Sequence, residues 1–333
     1  MTTLVTGASG HVGLTLIQQL LEKGHTVRAL DRNRNPILET LPVEFVNADL
    51  RDVTSYEHAF KGVELVFHVA AYISIQMHEW PTLEAINVHG VRNVVNLCKQ
   101  YGVRRLVHFS SIEALDINPI DKPINESNAL VSADFAIPYP RSKAAGQRIV
   151  LQAIAEGLNA VILYPTGIIG PNDYLARASN QLLVPVANGE VPALPMLGYD
   201  FVDVRDVASG AIAAQEIAPA GSSYVLGNAR FMLPEMAAKV AKLVGVRAPQ
   251  TIPAWTMMIS LPWMELNAAL TGKPSMITRA SLYPLRNSHT ISHERATREL
   301  GYQPRSIDES LHDTIAWFHQ IGKVKHPVKA SYR

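Results

Sequence analysis

Cysteine is almost absent: Cys98 is alone among 333 residues, so no disulfide can form within the chain. It falls in a run that reads as an apolar helix face, which makes it a buried structural residue rather than a reactive thiol. A reducing, cytoplasmic setting follows as the expectation. Net charge is nearly absent too, at +1, which removes the field that would gather nucleic acid or an acidic membrane. No uninterrupted apolar run reaches the roughly 18 residues that would span a bilayer. The nearest stretch, residues 253–270, is broken by Pro262, Glu265 and Asn267. It reads as helix lining a core or pocket, with contact at a membrane surface as the alternative. The first residues, Met-Thr-Thr-Leu-Val-Thr-Gly, lack the basic segment and apolar core of a signal peptide. Internal repeats, low-complexity tracts and any metal site are likewise not expected.

What is present is ordinary globular composition, 47% hydrophobic and 18% charged. A chain of this length buries a large core without staples. Its first half alternates β-rich runs at 2–6, 26–30, 43–47, 65–69, 106–109 and 160–163 with helical spacing at 11–23, 55–60, 83–101 and 139–156. That alternation predicts an α/β fold, a doubly wound parallel sheet of Rossmann type with helices on both faces. The pattern loosens after Gly170, where residues 171–200 are rich in Pro, Gly and Leu. Residues 201–210 read as a return to the first domain, followed by a helix through Ala218. The expected organisation is a nucleotide-binding domain of residues 1–170 plus about 201–230, and a smaller substrate region of 171–200 and 231–333.

Thr6-Gly7-Ala8-Ser9-Gly10-His11-Val12-Gly13 follows the first strand and opens the first helix. Gly7 permits a tight turn, Gly10 lets the backbone approach a pyrophosphate, and Gly13 lets helix and strand pack closely. The helix N-terminus offers free N–H groups and a positive dipole end to phosphates. In this strand–turn–helix context the spacing points to a dinucleotide. Asp31, at the end of the second strand, suits the adenosine ribose hydroxyls and would repel a 2′-phosphate. Arg32 beside it could stack on adenine or pair with that phosphate. NAD is therefore favoured and NADP stays open. Asp49, after the third strand, could accept from the adenine amino group, while Asp52 reads as a helix cap.

Tyr139-Pro-Arg-Ser-Lys143 puts a phenol and an ammonium one helical turn apart on one face. A phenol with pKa near 10 becomes a usable acid/base when a nearby cation favours the phenolate. The pair follows the fifth strand, which ends in Phe109-Ser110-Ser111. Carboxyl ends of strands face the ligand in such sheets, so a serine there can hold a carbonyl oxygen beside the tyrosine.

With these residues the chain resembles the extended short-chain dehydrogenase/reductase superfamily along nearly its whole length. The segments that carry the resemblance are TGASGHVG, NADLRD, FHVAAY, NVHGVRNVV, VHFSSIEA, YPRSK, YPTGIIGPND, FVDVRDVASG and ATRELGYQPRSIDESLHDTIAWF. It is most similar to the dihydroflavonol reductase-like and 3β-hydroxysteroid dehydrogenase-like branch. The resemblance implies that Ser111 is the catalytic serine, Tyr139 the acid/base, Lys143 the ribose-binding lysine and Asn87 the helical asparagine near the site. It also implies that Ser9, Leu50, Ala70 and Ala71 border the cofactor and that Pro165-Thr166-Gly167 pass along the nicotinamide.

Two departures narrow the chemistry. Leu163-Tyr-Pro-Thr-Gly replaces the asparagine-bearing segment by which nucleotide-sugar epimerases hold their substrate. Ile112-Glu113 replaces the Asp-Glu pair of sugar 4,6-dehydratases. A sugar epimerase or dehydratase is thus the alternative reading, and a non-enzymatic dinucleotide sensor the second. The expected reaction is hydride transfer between a nicotinamide and a small to medium, partly apolar carbonyl or secondary alcohol. Glu113 could face that substrate, and Tyr72, Ile73, Trp80, Tyr174, Met196, Trp255, Met258 and Tyr283 are pocket candidates. Surplus apolar residues on helices 83–101 and 139–156 suggest a homodimer.

Overall fold

The computed structural model describes residues 1–333 except 34, 119–121, 177–178, 258, 260, 262–277, 279, 281, 283–289 and 330–333. Met258 and Tyr283 lie outside the described residues, as does most of the 253–270 run.

In chain order the first lobe runs β1 (Thr2–Thr6), α1 (His11–Glu22), β2 (Thr26–Asp31), α2 (Pro36–Thr40), β3 (Glu44–Asn47) and β4 (Leu65–His68). It continues through α3 (Trp80–Glu84), α4 (Val91–Gln100), β5 (Arg105–Phe109), α5 (Pro138–Ala155), β6 (Ala160–Pro165) and β7 (Gly167–Ile169). Then come α6 (Asn180–Ala187), β8 (Ala193–Pro195), β9 (Gly198–Asp203), α7 (Val204–Ile217), β10 (Ser223–Leu226) and β11 (Ala229–Met232). The chain ends with α8 (Leu233–Val244), β12 (Gln250–Ile252), α9 (Glu294–Leu300) and α10 (Ile307–Gln320).

The main sheet has seven strands in the order β10-β6-β5-β4-β1-β2-β3. Every neighbouring pair in it is parallel. Such a sheet is buried on both faces, which is why β4 and β6 are buried at every position rather than at alternate ones. The order reverses between β1 and β4, and the crevice at that reversal is where a doubly wound sheet takes its ligand. The expected fold is therefore the observed one.

Differences from the expected elements occur in both halves. The strand β9 belongs to a small sheet β11-β9-β7, apart from the main one. It is α7 and β10 that return to the first lobe, α7 packing beside α1 and β10 forming the seventh strand. Residues 55–60 are not a regular helix; two 3₁₀ turns, Val53–Ser55 and Glu57–Phe60, stand there, the first capped by Asp52 accepting from the Thr54 N–H. Between α3 and α4 the 83–101 helix widens into a π turn, Ala85–Gly90.

The apolar surplus read on α4 is used inside the fold. Val91, Val94, Val95, Leu97 and Cys98 are buried, while Arg92, Asn96, Lys99 and Gln100 face outward. Ion pairing of Lys99 with Glu156 ties α4 to the end of α5. Exposed apolar surface remains on α5 at Leu151, so α4 no longer argues for a partner. No helix among the described residues is long and apolar enough to cross a membrane.

Candidate active site

The glycine turn is built as its spacing requires. Gly7 has φ +72°, and a Cβ there would stand 2.8 Å from the backbone of Ala70. A Cβ on Gly13 would stand 2.1 Å from the Gly7 carbonyl oxygen, so α1 seats directly on the turn. No side chain caps the N-terminus of α1. Its first N–H groups therefore remain for an anion. A dinucleotide fits this turn on geometric grounds: the cradle tolerates no side chain and its donors are uncapped.

Asp31 braces the same turn. Its Oδ2 accepts from the Ser9 N–H at 2.9 Å and its Oδ1 from the Arg32 N–H at 2.7 Å. The Ser9 hydroxyl donates to the Asn33 carbonyl. Asp49 is held by Arg51 through two side-chain hydrogen bonds of 3.0 and 2.6 Å, which keep its carboxyl below the usual range. Arg32 lies 3.8 Å from Asp49. Leu50 is buried, against Gly90. His11, half-buried at the start of α1, donates from Nε2 to the Pro171 carbonyl at 2.9 Å. That bond fastens the loop after β7 over the helix N-terminus.

The second group lies at the carboxyl ends of β5 and β6. Ser111 opens a 3₁₀ turn, its Oγ accepting from the Glu113 N–H at 3.2 Å. The Ser111 hydroxyl lies near enough to the Tyr139 phenol to favour its ionised form. Pro138 starts α5 at a position where its missing N–H costs nothing, and Tyr139 follows it immediately. One turn on, Lys143 is buried and its Nζ donates to the Phe109 carbonyl at 2.7 Å. Burial lowers the ammonium to about 8. The phenol behaves otherwise than the sequence suggested. Burial pushes Tyr139 well above its ordinary range, the Glu113 carboxylate adds to that, and the nearby Ser111 hydroxyl works against it. The protein's own groups thus favour the protonated phenol.

Asn87 occupies the π turn with its amide bonded on both sides. Oδ1 accepts from the Tyr72 N–H at 2.8 Å, and Nδ2 donates to the Tyr72 carbonyl and the Ser142 hydroxyl, both at 2.9 Å. The carbonyl of Asn87 would meet a Cβ on Gly146 at 2.2 Å. This side chain ties the loop after β4 to α5 beside Lys143 and holds the site's walls together, with both amide N–H groups used within the fold.

Glu113 stands close to the phenol of Tyr139, close enough for its charge to raise it. Its own carboxyl is pushed up to about 7 by burial, against a hydrogen bond from the Tyr199 hydroxyl at 3.4 Å. Tyr199 comes from β9 and lies across Gly167, where a Cβ would meet its ring at 2.7 Å. Nothing in the loosely patterned stretch around Tyr199 marks it locally. Gln147 was also missed, although it continues the Tyr139–Lys143 spacing by one more turn. It accepts from Ser110 at 2.6 Å and so fixes the loop at the end of β5.

The other pocket candidates separate. Tyr72 donates to Glu79 at 3.1 Å, and Trp80 carries the Arg141 guanidinium 3.6 Å above its ring. Tyr174 packs edge-on against Trp317 of α10. Ile73, Met196 and Trp255 are exposed. Ala70 donates its N–H to Thr6, Pro165 closes β6, and Thr166 donates to the Leu226 carbonyl. Among the described residues no cluster could hold a metal ion.

The sequence model of the NAD-dependent epimerase/dehydratase family matches residues 3–227. The chain belongs to that family. It is an NAD-dependent oxidoreductase of the extended short-chain dehydrogenase/reductase type. Sterol demethylase protein B of Methylococcus capsulatus is 30% identical over 329 residues, covering 97% of this chain and 100% of that one. A putative dihydroflavonol 4-reductase of Synechocystis is 30% identical, covering 96% and 95%. The crystal structure of gox2253 superposes with a TM-score of 0.84 at 32% identity, covering 97% of this chain and 99% of that one.

Proposed function

We propose that the chain interconverts a ketone and a secondary alcohol, with Tyr139 moving the proton at the substrate oxygen. The nearness of the Ser111 hydroxyl to the Tyr139 phenol at the carboxyl end of β5, with Lys143 one turn along α5, carries this reading. The bound nicotinamide would supply the hydride acceptor or donor. Gly7, Ser9, Gly10, His11, Val12 and Gly13 would hold the pyrophosphate, Asp31 the adenosine ribose, and Lys143 the nicotinamide ribose. Ala70, Ala71, Pro165, Thr166 and Gly167 would border the ring.

Ser111 orients the substrate oxygen and Tyr139 gives or takes its proton. Reduction suits the protonated phenol that burial favours. A nicotinamide cation beside the phenol and the Lys143 ammonium would favour phenolate for the reverse direction. The names of the relatives, a sterol-processing protein and a flavonoid reductase, agree with a neutral, partly apolar substrate.

A panel of ketones, aldehydes and sterols followed by NADH absorbance finds a substrate, and Tyr139→Phe then tests the assignment. General acid–base catalysis is worth about 10²–10⁴-fold, and kcat should fall by that order while NAD affinity holds. Near-normal turnover by Tyr139→Phe would overturn the reading.

A further inference from the structure

We infer that Glu113, steadied by Tyr199, is the specificity-determining contact for a second substrate group: a hydroxyl beside the reacting carbon is accepted there, and a carboxylate or phosphate is refused. The inference rests on the carbonyl–alcohol reading of the Ser111–Tyr139 site.

Three placements lead to it. First, Glu113 stands two residues after Ser111 in the same 3₁₀ turn, and its N–H is bonded to the Ser111 oxygen. Its carboxyl is therefore fixed relative to the hydroxyl that would hold the reacting oxygen. Second, the Tyr199 hydroxyl donates to Glu113 Oε1 at 3.4 Å, and the Glu113 charge is near enough to raise both Tyr199 and Tyr139. The three polar heads converge from the end of β5, from α5 and from β9. Third, Tyr199 lies across Gly167, so the pair stands over the strand that leaves β6.

The donor set has one sign. Tyr199 and Tyr139 are the groups that face the carboxyl from the packed elements, and both are neutral phenols. No lysine, arginine or histidine among the described residues forms an ion pair with Glu113. Above pH 7, where it is ionised and where the binding comparison below is made, this half-buried carboxyl without a cation keeps strong accepting capacity, since a carboxylate has about four lone-pair sites and Tyr199 uses one. A substrate hydroxyl satisfies what remains. A substrate anion placed there would be a second uncompensated negative charge in the same pocket. A site built to bond a hydroxyl also discriminates against the analogue that lacks it, because its buried acceptor is then left unpaired.

The test uses the full chain saturated with NAD and three ring alcohols: cyclohexanol, cyclohexane-1,2-diol and 2-hydroxycyclohexane-1-carboxylate. Binding is measured by saturation-transfer NMR, so the result does not depend on turnover. The diol should bind about 10-fold more tightly than cyclohexanol, the scale of one hydrogen bond to a charged group, and the carboxylate most weakly. In Glu113→Ala the diol advantage should vanish while cyclohexanol is unchanged. In Glu113→Gln the diol advantage should persist in part and the carboxylate penalty should lift. Tyr199→Phe gives a second route should Glu113→Ala fold poorly, and it should shrink the diol advantage without touching cyclohexanol. A diol no better bound than cyclohexanol, an unchanged diol-to-cyclohexanol ratio in both Glu113→Ala and Tyr199→Phe, or binding of none of the three would overturn the inference. Tyr139→Phe separates the two claims: persistent turnover there defeats the proposed reaction, whereas the binding ratios judge Glu113 alone.

Discussion

The imidazoles of His68 and His108, on the neighbouring strands β4 and β5, stack with centroids 5.6 Å apart and planes at 26°. Both are buried, and burial together with the Lys143 charge lowers both. His68 is brought to about 3 and bonds Thr6 at 2.8 Å. The unfolded chain takes up these protons near pH 6.5, long before the native one. Stability is therefore fullest above pH 6.5 and falls as pH drops from 6.5 towards 3. Each fully buried histidine contributes a slope of about 1.4 kcal/mol per pH unit in that window. Urea unfolding at pH 7.5 and 5.5 measures it; equal stabilities at the two values would contradict it.

Neither ring nitrogen of His108 has a hydrogen-bond partner among the described residues. His108→Phe should keep the stacked volume and remove two unpaired polar atoms. A gain of about 1 kcal/mol is expected, since buried groups left without partners cost on the order of 1–3 kcal/mol each and the new ring fits imperfectly. The gain should grow as pH falls. A loss at pH 5.5 would mean that an ordered water serves these nitrogens.

Lys143 should be needed as a cation to hold ribose hydroxyls. With its ammonium lowered to about 8, kcat/KM should fall as pH rises through that value. Lys143→Met should raise KM for NAD and lower kcat together, unlike Tyr139→Phe. It should also abolish the alkaline limb; a limb that survives in Lys143→Met belongs to another group.

Asp31 has two tasks in the structure, bracing Ser9 and presenting a carboxylate. The unmodified chain should bind NAD more tightly than NADP because a 2′-phosphate would face that charge. Asp31→Ala should weaken NAD, through the loosened turn, while narrowing the gap to NADP. Calorimetry with both cofactors decides this, and tighter NADPH binding by the unmodified chain would sink it.

Removal of the Asn87 amide should loosen the wall rather than the chemistry. Asn87→Ala loses three buried hydrogen bonds at about 1 kcal/mol each, so a fall of roughly 2–3 kcal/mol in stability is expected. Its effect on kcat should be milder than that of Tyr139→Phe. Equal damage to rate with no loss of stability would place Asn87 among the reacting groups instead.

Much of this site was legible because its parts are local. The glycine turn, the strand ends and the Tyr139–Lys143 spacing each lie within about one helical turn or one loop, where backbone geometry alone fixes which side chains meet. Asn87 was recognised as a residue near the site, yet its task was not, because its three partners sit 15 and 55 residues away in sequence.

Sequence periodicity by itself determined the parallel sheet, with Ser111 at the end of its fifth strand and Tyr139 and Lys143 on the helix that follows, while the strand order and its reversal point came from the structure. It could not determine which way the Tyr139 phenol shifts, since that depends on burial and on a carboxyl that arrives from the next turn. Nor could it place Tyr199: that residue fell in the loosely patterned stretch 171–200, and only the pairing of β9 with β7 and β11 brings its ring over Gly167. Hydrophobic pattern says whether a residue is inside, but the electrostatics of a buried group follow from which neighbours share its low-dielectric space, and those neighbours are chosen by the packing of distant segments.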